Sequence, residues 1–259
     1  MIYFARMPQP LPPVGALITS GWEQFKRDWK PNLELSVRFI ISSAILFGAA
    51  LVSQTLPDYG RIAMFVLANI VAAAINLHTI LTLIELSLRR DRSASGEAKP
   101  SVEIGRTHFW PFLWVMLLQG FAVLGGLFVF FLPGIWLSVM LGYSLLVLVE
   151  DGTTGIQALA ASAELVKGRW WATFGRNLVA GIVVGLLGSL TTFIVLLIVG
   201  LFVGMDQVFG FADYLSGTTR GNPVADGIET VLSGIVQALF IPLAVILQVK
   251  IFHALKRTR

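Results

Sequence analysis

The sequence predicts an all-α fold: a polytopic integral membrane protein with six transmembrane helices and three short interfacial amphipathic helices. Three observations predict it. The first is composition. Hydrophobic residues make up 56% of the 259 residues and charged residues 13%, and the mean hydropathy is +0.78. A soluble domain carries roughly 25% charged residues, and a globule of this size would leave so much apolar surface in large exposed patches. Disordered chains are poor in hydrophobic residues, so disorder is excluded as well. The second observation is the spacing of charges. Uncharged runs extend from Arg38 to Asp58, Arg61 to Glu85, Arg106 to Glu150, Arg176 to Asp206 and Glu229 to Lys250. The third is that the basic residues cluster on one side once spans are drawn through these runs.

A spanning helix needs about 20 apolar residues. Four runs hold one helix each, and the run from Arg106 to Glu150 is long enough for two. Its expected break is the Pro-Gly turn in Phe131-Leu132-Pro133-Gly134. The predicted spans are residues 33–56, 61–88, 109–131, 134–150, 176–203 and 228–252. Residues 1–13 are a Pro-rich lead-in that cannot be helical over Met7–Pro13, and residues 14–259 form a single membrane domain. The segment from Met1 to Lys30 lacks the apolar core and cleavage site of a signal peptide, so no cleavage is expected.

Six spans place both termini on one side, and 16 of the 19 Lys and Arg residues fall there too. Only Arg61 and Arg220 fall opposite, with Arg38 inside span one. The positive-inside rule makes that face, and both termini, cytoplasmic. The net charge of +4 thus reads as orientation and contact with anionic headgroups rather than as nucleic-acid binding. The absence of cysteine excludes disulfides, thiolate metal sites and cysteine catalysis.

A motif of the form acid-x-x-base-x-x-aromatic precedes spans one, three and five. Its copies are Glu23, Lys26, Trp29; then Glu103, Arg106, Phe109; then Glu164, Lys167, Trp170. Positions i, i+3 and i+6 run along one side of a helix, acid and base at i,i+3 can pair, and Trp suits the headgroup level. Apolar residues recur at helical spacing around two copies: Val14, Leu17, Ile18, Trp22, Phe25 and Trp29, and Ile156, Leu159, Ala160, Ala163 and Val166. The expectation is a threefold internal repeat, each unit an interfacial helix followed by a transmembrane hairpin, over residues 14–90, 97–150 and 154–256. Interface anchors without common ancestry would show the same pattern.

A second set of residues carries a family resemblance. Leu132-Pro133-Gly134-Ile135-Trp136 leads to Glu150-Asp151-Gly152, then to Ala158-Leu159, Ser162, Leu165, Lys167-Gly168-Arg169-Trp170-Trp171 and Phe174-Gly175. With Ser20-Gly21-Trp22-Glu23-Gln24-Phe25-Lys26-Arg27-Asp28-Trp29, this resembles the membrane domain of the glycerophosphoryl diester phosphodiesterase superfamily and its stand-alone bacterial relatives. The resemblance implies a polytopic helical domain of a bacterial cytoplasmic membrane. That family's enzyme is a separate barrel, for which this chain has neither the length nor the His-Arg and Glu-x-Asp pattern, so no catalytic residue carries over.

No nucleophile elbow, phosphate loop, dinucleotide fingerprint or His-Glu-x-x-His motif is present. No catalytic residue, metal site or cofactor is expected. His108 and His253 read as solvated or lipid-facing, and Glu150-Asp151 as a solvated loop start. The intramembrane polar residues are the sharper candidates: Glu34, Arg38, Asn69, Asn76, His78 and Glu85. Arg38 is expected to pair with Glu34, Glu85 or both. Asn69 and Asn76 form one stripe of span two, and His78, Thr82 and Glu85 another, so that helix is expected to be surrounded by protein, with Gln119, Gln237 and Gln248 as partners. Gly181-x-x-x-Gly185 and Gly200-x-x-x-Gly204 would allow close helix packing, and Pro242 would kink span six. A cation site at Asp206 and Asp213 in the 204–227 connection is a weaker candidate.

The leading function is a non-enzymatic bacterial inner-membrane protein that organises, binds or carries lipid-like or other small molecules. Lys26, Arg106, Lys167 and Arg169 would meet anionic headgroups on the cytoplasmic face. One alternative is a small transporter or channel along the polar stripes of span two. Another is a membrane anchor or assembly subunit for a separately encoded protein partner, or a homo-oligomer.

Overall fold

A computed structural model describes residues 11–92, 109–205 and 223–258. Its regular elements are all helices: α1 (Val14–Arg27), α2 (Trp29–Ser53), α3 (Asp58–Arg92), α4 (Phe109–Val129), α5 (Phe131–Leu141), α6 (Ser144–Asp151), α7 (Gly155–Val166), α8 (Trp170–Val203) and α9 (Pro223–Arg257). Six segments are long and apolar enough to cross a membrane: α2, α3, α4, α5 with α6, α8 and α9. The third predicted interfacial helix, before α4, and the 206–222 connection lie outside the described residues.

Helix ends follow local chemistry. Asp58 opens α3 and pairs with Arg61 at 2.6 Å, where a carboxylate complements the positive helix terminus. Pro31 sits in the first turn of α2, where its missing N–H breaks no ladder bond. α6 stops at Gly152, whose φ of 71° lets its N–H cap the Leu148 carbonyl. The break between α4 and α5 falls at Phe130, an extended residue, and not within Pro133-Gly134 as the sequence suggested. Pro133 lies in the first turn of α5, and Gly134 serves another purpose. A Cβ there would lie 2.9 Å from the Leu127 amide nitrogen, so the two helices meet backbone to backbone.

The predicted fourth span is two helices, α5 and α6, separated at Gly142 and Tyr143. Ser162 of α7 repairs the interruption. Its hydroxyl accepts from the Tyr143 N–H at 3.1 Å and donates to the Met140 carbonyl at 2.8 Å. Without water in a hydrocarbon layer such groups must find protein partners.

The described residues form two compact parts, and α3, α8 and α9 contribute to both. One contains residues 11–29, 80–92, 109–182 and 243–258. The dense core is here, in Leu81, Leu86, Phe112, Tyr143, Val166 and Phe252, each at most 1% exposed. The other contains residues 30–79, 183–205 and 223–242. Its helices leave large apolar side chains uncovered, among them Ile62, Phe65, Leu186, Phe193 and Phe202. A lipid solvent explains such surfaces.

α1 and α7 each pack one face on the protein and leave the other uncovered. α1 buries Leu17, Gly21 and Gln24, followed by Asp28, while Trp22 and Trp29 are exposed. α7 buries Ala158, Ser162, Leu165 and Val166, and Ile156 and Ala160 are exposed. Small or polar residues such as Gly21, Gln24, Ala158 and Ser162 share the packed side with Leu17, Leu165 and Val166, while the bulky Trp22 and Ile156 face outward, as helices packed within lipid allow. The buried positions 158, 162 and 165 repeat the spacing of 17, 21 and 24. The sequence offset that superposes these two sets also superposes Glu164, Lys167 and Trp170 on Glu23, Lys26 and Trp29.

Candidate functional site

The C-terminal ends of α3, α6 and α9 carry most of the charge that is packed inside the first part. Asp91 closes α3, Glu150 and Asp151 close α6, and Lys250, His253 and Lys256 follow one another at every third position of α9. Three-residue spacing puts those bases along one side of the helix. Helix C-termini carry negative partial charge, and three carboxylates add to it, so cations are required there.

The three bases of α9 supply them. The Asp91 carboxylate, 7% exposed, accepts from Lys250 Nζ and His253 Nδ1. His253 Nε2 lies 3.4 Å from Glu150 Oε1. Lys256 Nζ reaches Glu150 Oε2 at 3.4 Å and Asp151 Oδ1 at 2.7 Å, and sits 5.1 Å from the centre of the Phe252 ring. The imidazole thus spans carboxylates from two different helices. Charges buried this far cost several kcal/mol each when unpaired, which ties the three helix ends to one another.

Two further cross-links fasten the same ends. Asp28, between α1 and α2, accepts from Arg90 Nη1 at 2.5 Å. Arg169, between α7 and α8, donates to the Thr258 hydroxyl and, at 2.6 Å, to its carbonyl. Asp28 and Arg169 occupy the same place in the motif, immediately before its aromatic residue.

A cavity of about 500 Å³ opens beside this network. Asp91, Lys250, His253 and Arg257 form its polar wall, and Leu17 and Ala254 part of its apolar one. Pro12 and Ala16 bring the start of α1 to its edge. α1 has no side-chain cap, so its first amides have no partner within the helix. Arg176 holds the entering chain in place, donating to the carbonyls of Leu11 at 3.1 Å and Pro12 at 2.8 Å.

The residues singled out from the sequence are distributed differently. Arg38 does not take Glu34, which is exposed; it donates to His78 Nδ1 at 3.1 Å. Glu34 stays solvated one turn nearer the helix end, while the deeper Arg38 meets an acceptor on α3. Glu85 pairs with Arg89 at 2.5 Å, one turn along its own helix. Asn76 accepts from Ser42 at 2.7 Å, in place of the expected glutamines. Asn69 donates to its own helix at Phe65, 2.8 Å away, and borders a second cavity of about 210 Å³ with Leu46, Ala50 and Thr230. Span two is not enclosed throughout: Ile62, Phe65 and Ile70 are exposed, whereas Leu81 to Leu88 are buried. Nothing described lies within 4 Å of a Cβ built on Gly181 or Gly185, so that glycine pair makes no close contact here. Pro242 lies inside an uninterrupted α9.

Among the motif residues, Glu164 and Lys167 pair at 3.0 Å on the surface. Glu23 and Lys26 are exposed. Trp170 stacks on Phe174 and donates to the Trp136 carbonyl at 3.2 Å. Phe109 begins α4; Glu103 and Arg106 lie outside the described residues. Arg169, expected at headgroups, is occupied by Thr258.

His253, expected to be solvated or lipid-facing, is instead a buried part of the network, and Glu150, expected to be solvated, is largely covered beside it. The period of three in Lys250, His253 and Lys256 was the available signal, together with acids closing spans two and four. No grouping of His, Asp and Glu among the described residues could hold a metal ion. No family model, no curated protein and no solved structure matches this chain.

Proposed function

We propose that the chain is a non-enzymatic protein of a bacterial inner membrane, with both termini cytoplasmic, that binds and organises anionic lipid at the cytoplasmic face. The observation that carries this reading is the cavity at the basic helix ends, with Lys250, His253 and Arg257 around Asp91 on one side and apolar residues on the other. Such a space suits an amphiphile, whose headgroup and first methylenes need both surfaces. α1 and α7 are taken as interfacial helices, with exposed Trp22 in α1, Trp29 at the start of α2 and Trp171 at the start of α8 at headgroup depth. The matched buried registers of α1 and α7 support an internal repeat, with α4 to α6 as its middle hairpin. Two of the polar residues that a path along span two would use, Asn76 and His78, are already bonded to α2, which favours bracing over transport.

Thermal unfolding of the purified protein in detergent tests the reading. Added anionic phospholipid is expected to raise the unfolding temperature, because a ligand that binds only the folded state stabilises it by mass action. Equal shifts with anionic and zwitterionic lipid would overturn the reading.

A further inference from the structure

We infer that the cavity between α1 and the end of α9 is a discrete site for one phosphate-bearing anionic headgroup, with Arg257 as its principal cation. This rests on the lipid-binding reading and names the place and the chemistry. The charges on the polar wall are unequally committed. Asp91 is saturated by Lys250 and His253, and those two bases are in turn engaged by Asp91. Among the described residues Arg257 lines the cavity without a carboxylate partner, and it is exposed. The wall is therefore left with a net positive charge and a planar, multiply donating guanidinium, the group best matched to phosphate oxygens. Ser20, also on the lining, already donates its hydroxyl to the Leu17 carbonyl at 3.1 Å, but the uncapped start of α1 at the rim adds the positive end of a 14-residue helix. A volume of about 500 Å³ is in the range of small-ligand sites. The acyl chains would leave past the apolar side, at Leu17 and Ala254.

The test is native mass spectrometry of the gently solubilised full chain in mixed phosphatidylglycerol and phosphatidylcholine, with two variants. Arg257→Gln removes an exposed cation that makes no hydrogen bond or ion pair among the described residues, so little loss of stability is expected. Ala16→Phe fills the cavity from α1, at an exposed position, without changing charge. The expected result is one phosphatidylglycerol retained by the wild type, and retention at least about tenfold weaker in each variant, in Arg257→Gln through the loss of one charge-assisted contact and in Ala16→Phe through the filled space. Phosphatidylglycerol retained equally by all three proteins would overturn the site while leaving the broader lipid-binding reading intact. If inorganic phosphate alone raises the unfolding temperature, the variants abolish the shift and no lipid is retained, the site stands but its ligand is a soluble anion and the lipid reading falls. No lipid and no phosphate effect overturns both.

Discussion

Ser162 offers the sharpest test of how α7 is used. It is fully buried, and its hydroxyl joins the Tyr143 N–H to the Met140 carbonyl across the gap between α5 and α6. Ser162→Ala keeps the backbone and nearly the volume but removes both bonds. The Tyr143 amide then has no acceptor in a site closed to water, a cost of about 1–3 kcal/mol. Losing the second bond adds about 1 kcal/mol. Against this, Ala is the better helix former by about 0.5 kcal/mol. The net expectation is a loss of about 2 kcal/mol, or about 4–8 °C in unfolding temperature for a chain of this size. The assay is thermal unfolding in detergent followed by tryptophan fluorescence. Glu164→Ala is the control: it lies on the same helix but carries only an exposed ion pair, worth little. If Ser162→Ala and Glu164→Ala unfold together while Ala160→Ser is costly, α7 packs through its Ala160 side and the assignment is wrong.

Other consequences are as specific. Asp91→Asn leaves Lys250 and His253 without their shared carboxylate and is expected to cost about 3 kcal/mol, the low end for breaking a buried pair; combining it with Lys250→Met should recover part of that loss in a double-mutant cycle, and strict additivity would mean that the two do not interact. Gly134→Leu places a side chain where the α4 backbone already stands; the expectation is failure to accumulate as folded protein, scored by gel filtration beside Gly175→Leu, where nothing lies within 4 Å.

Much of the fold was legible because membrane spans are a property of contiguous sequence. A run of about 20 uncharged residues is sufficient by itself, and every such run became helical. Helix ends shifted where extra turns carry charge. α3 and α9 are 35 residues each. At a rise of about 1.5 Å per residue they extend past the hydrocarbon thickness, and their extensions hold Asp91, Lys250 and His253. The site was less legible because its partners are distant in sequence. Asp91 and His253 are 162 residues apart, and no spacing rule joins them. The packed faces of α1 and α7 were less legible for a related reason: apolar periodicity marks the side a helix turns to lipid as readily as the side it packs, and here Ile156 and Trp22 face outward while Ser162 and Gly21 lie on the packed side.

Everything proposed for the basic helix ends depends on the side of the membrane they face. The chain has no cysteine, so single cysteines can report it without background. A membrane-impermeant maleimide applied to intact spheroplasts should label Tyr59→Cys, in the first turn of α3, where Tyr59 is 89% exposed. It should label Lys167→Cys, at the exposed end of α7, only after permeabilisation. Labelling of Lys167→Cys in intact spheroplasts, with Tyr59→Cys protected, would invert the topology and contradict the account.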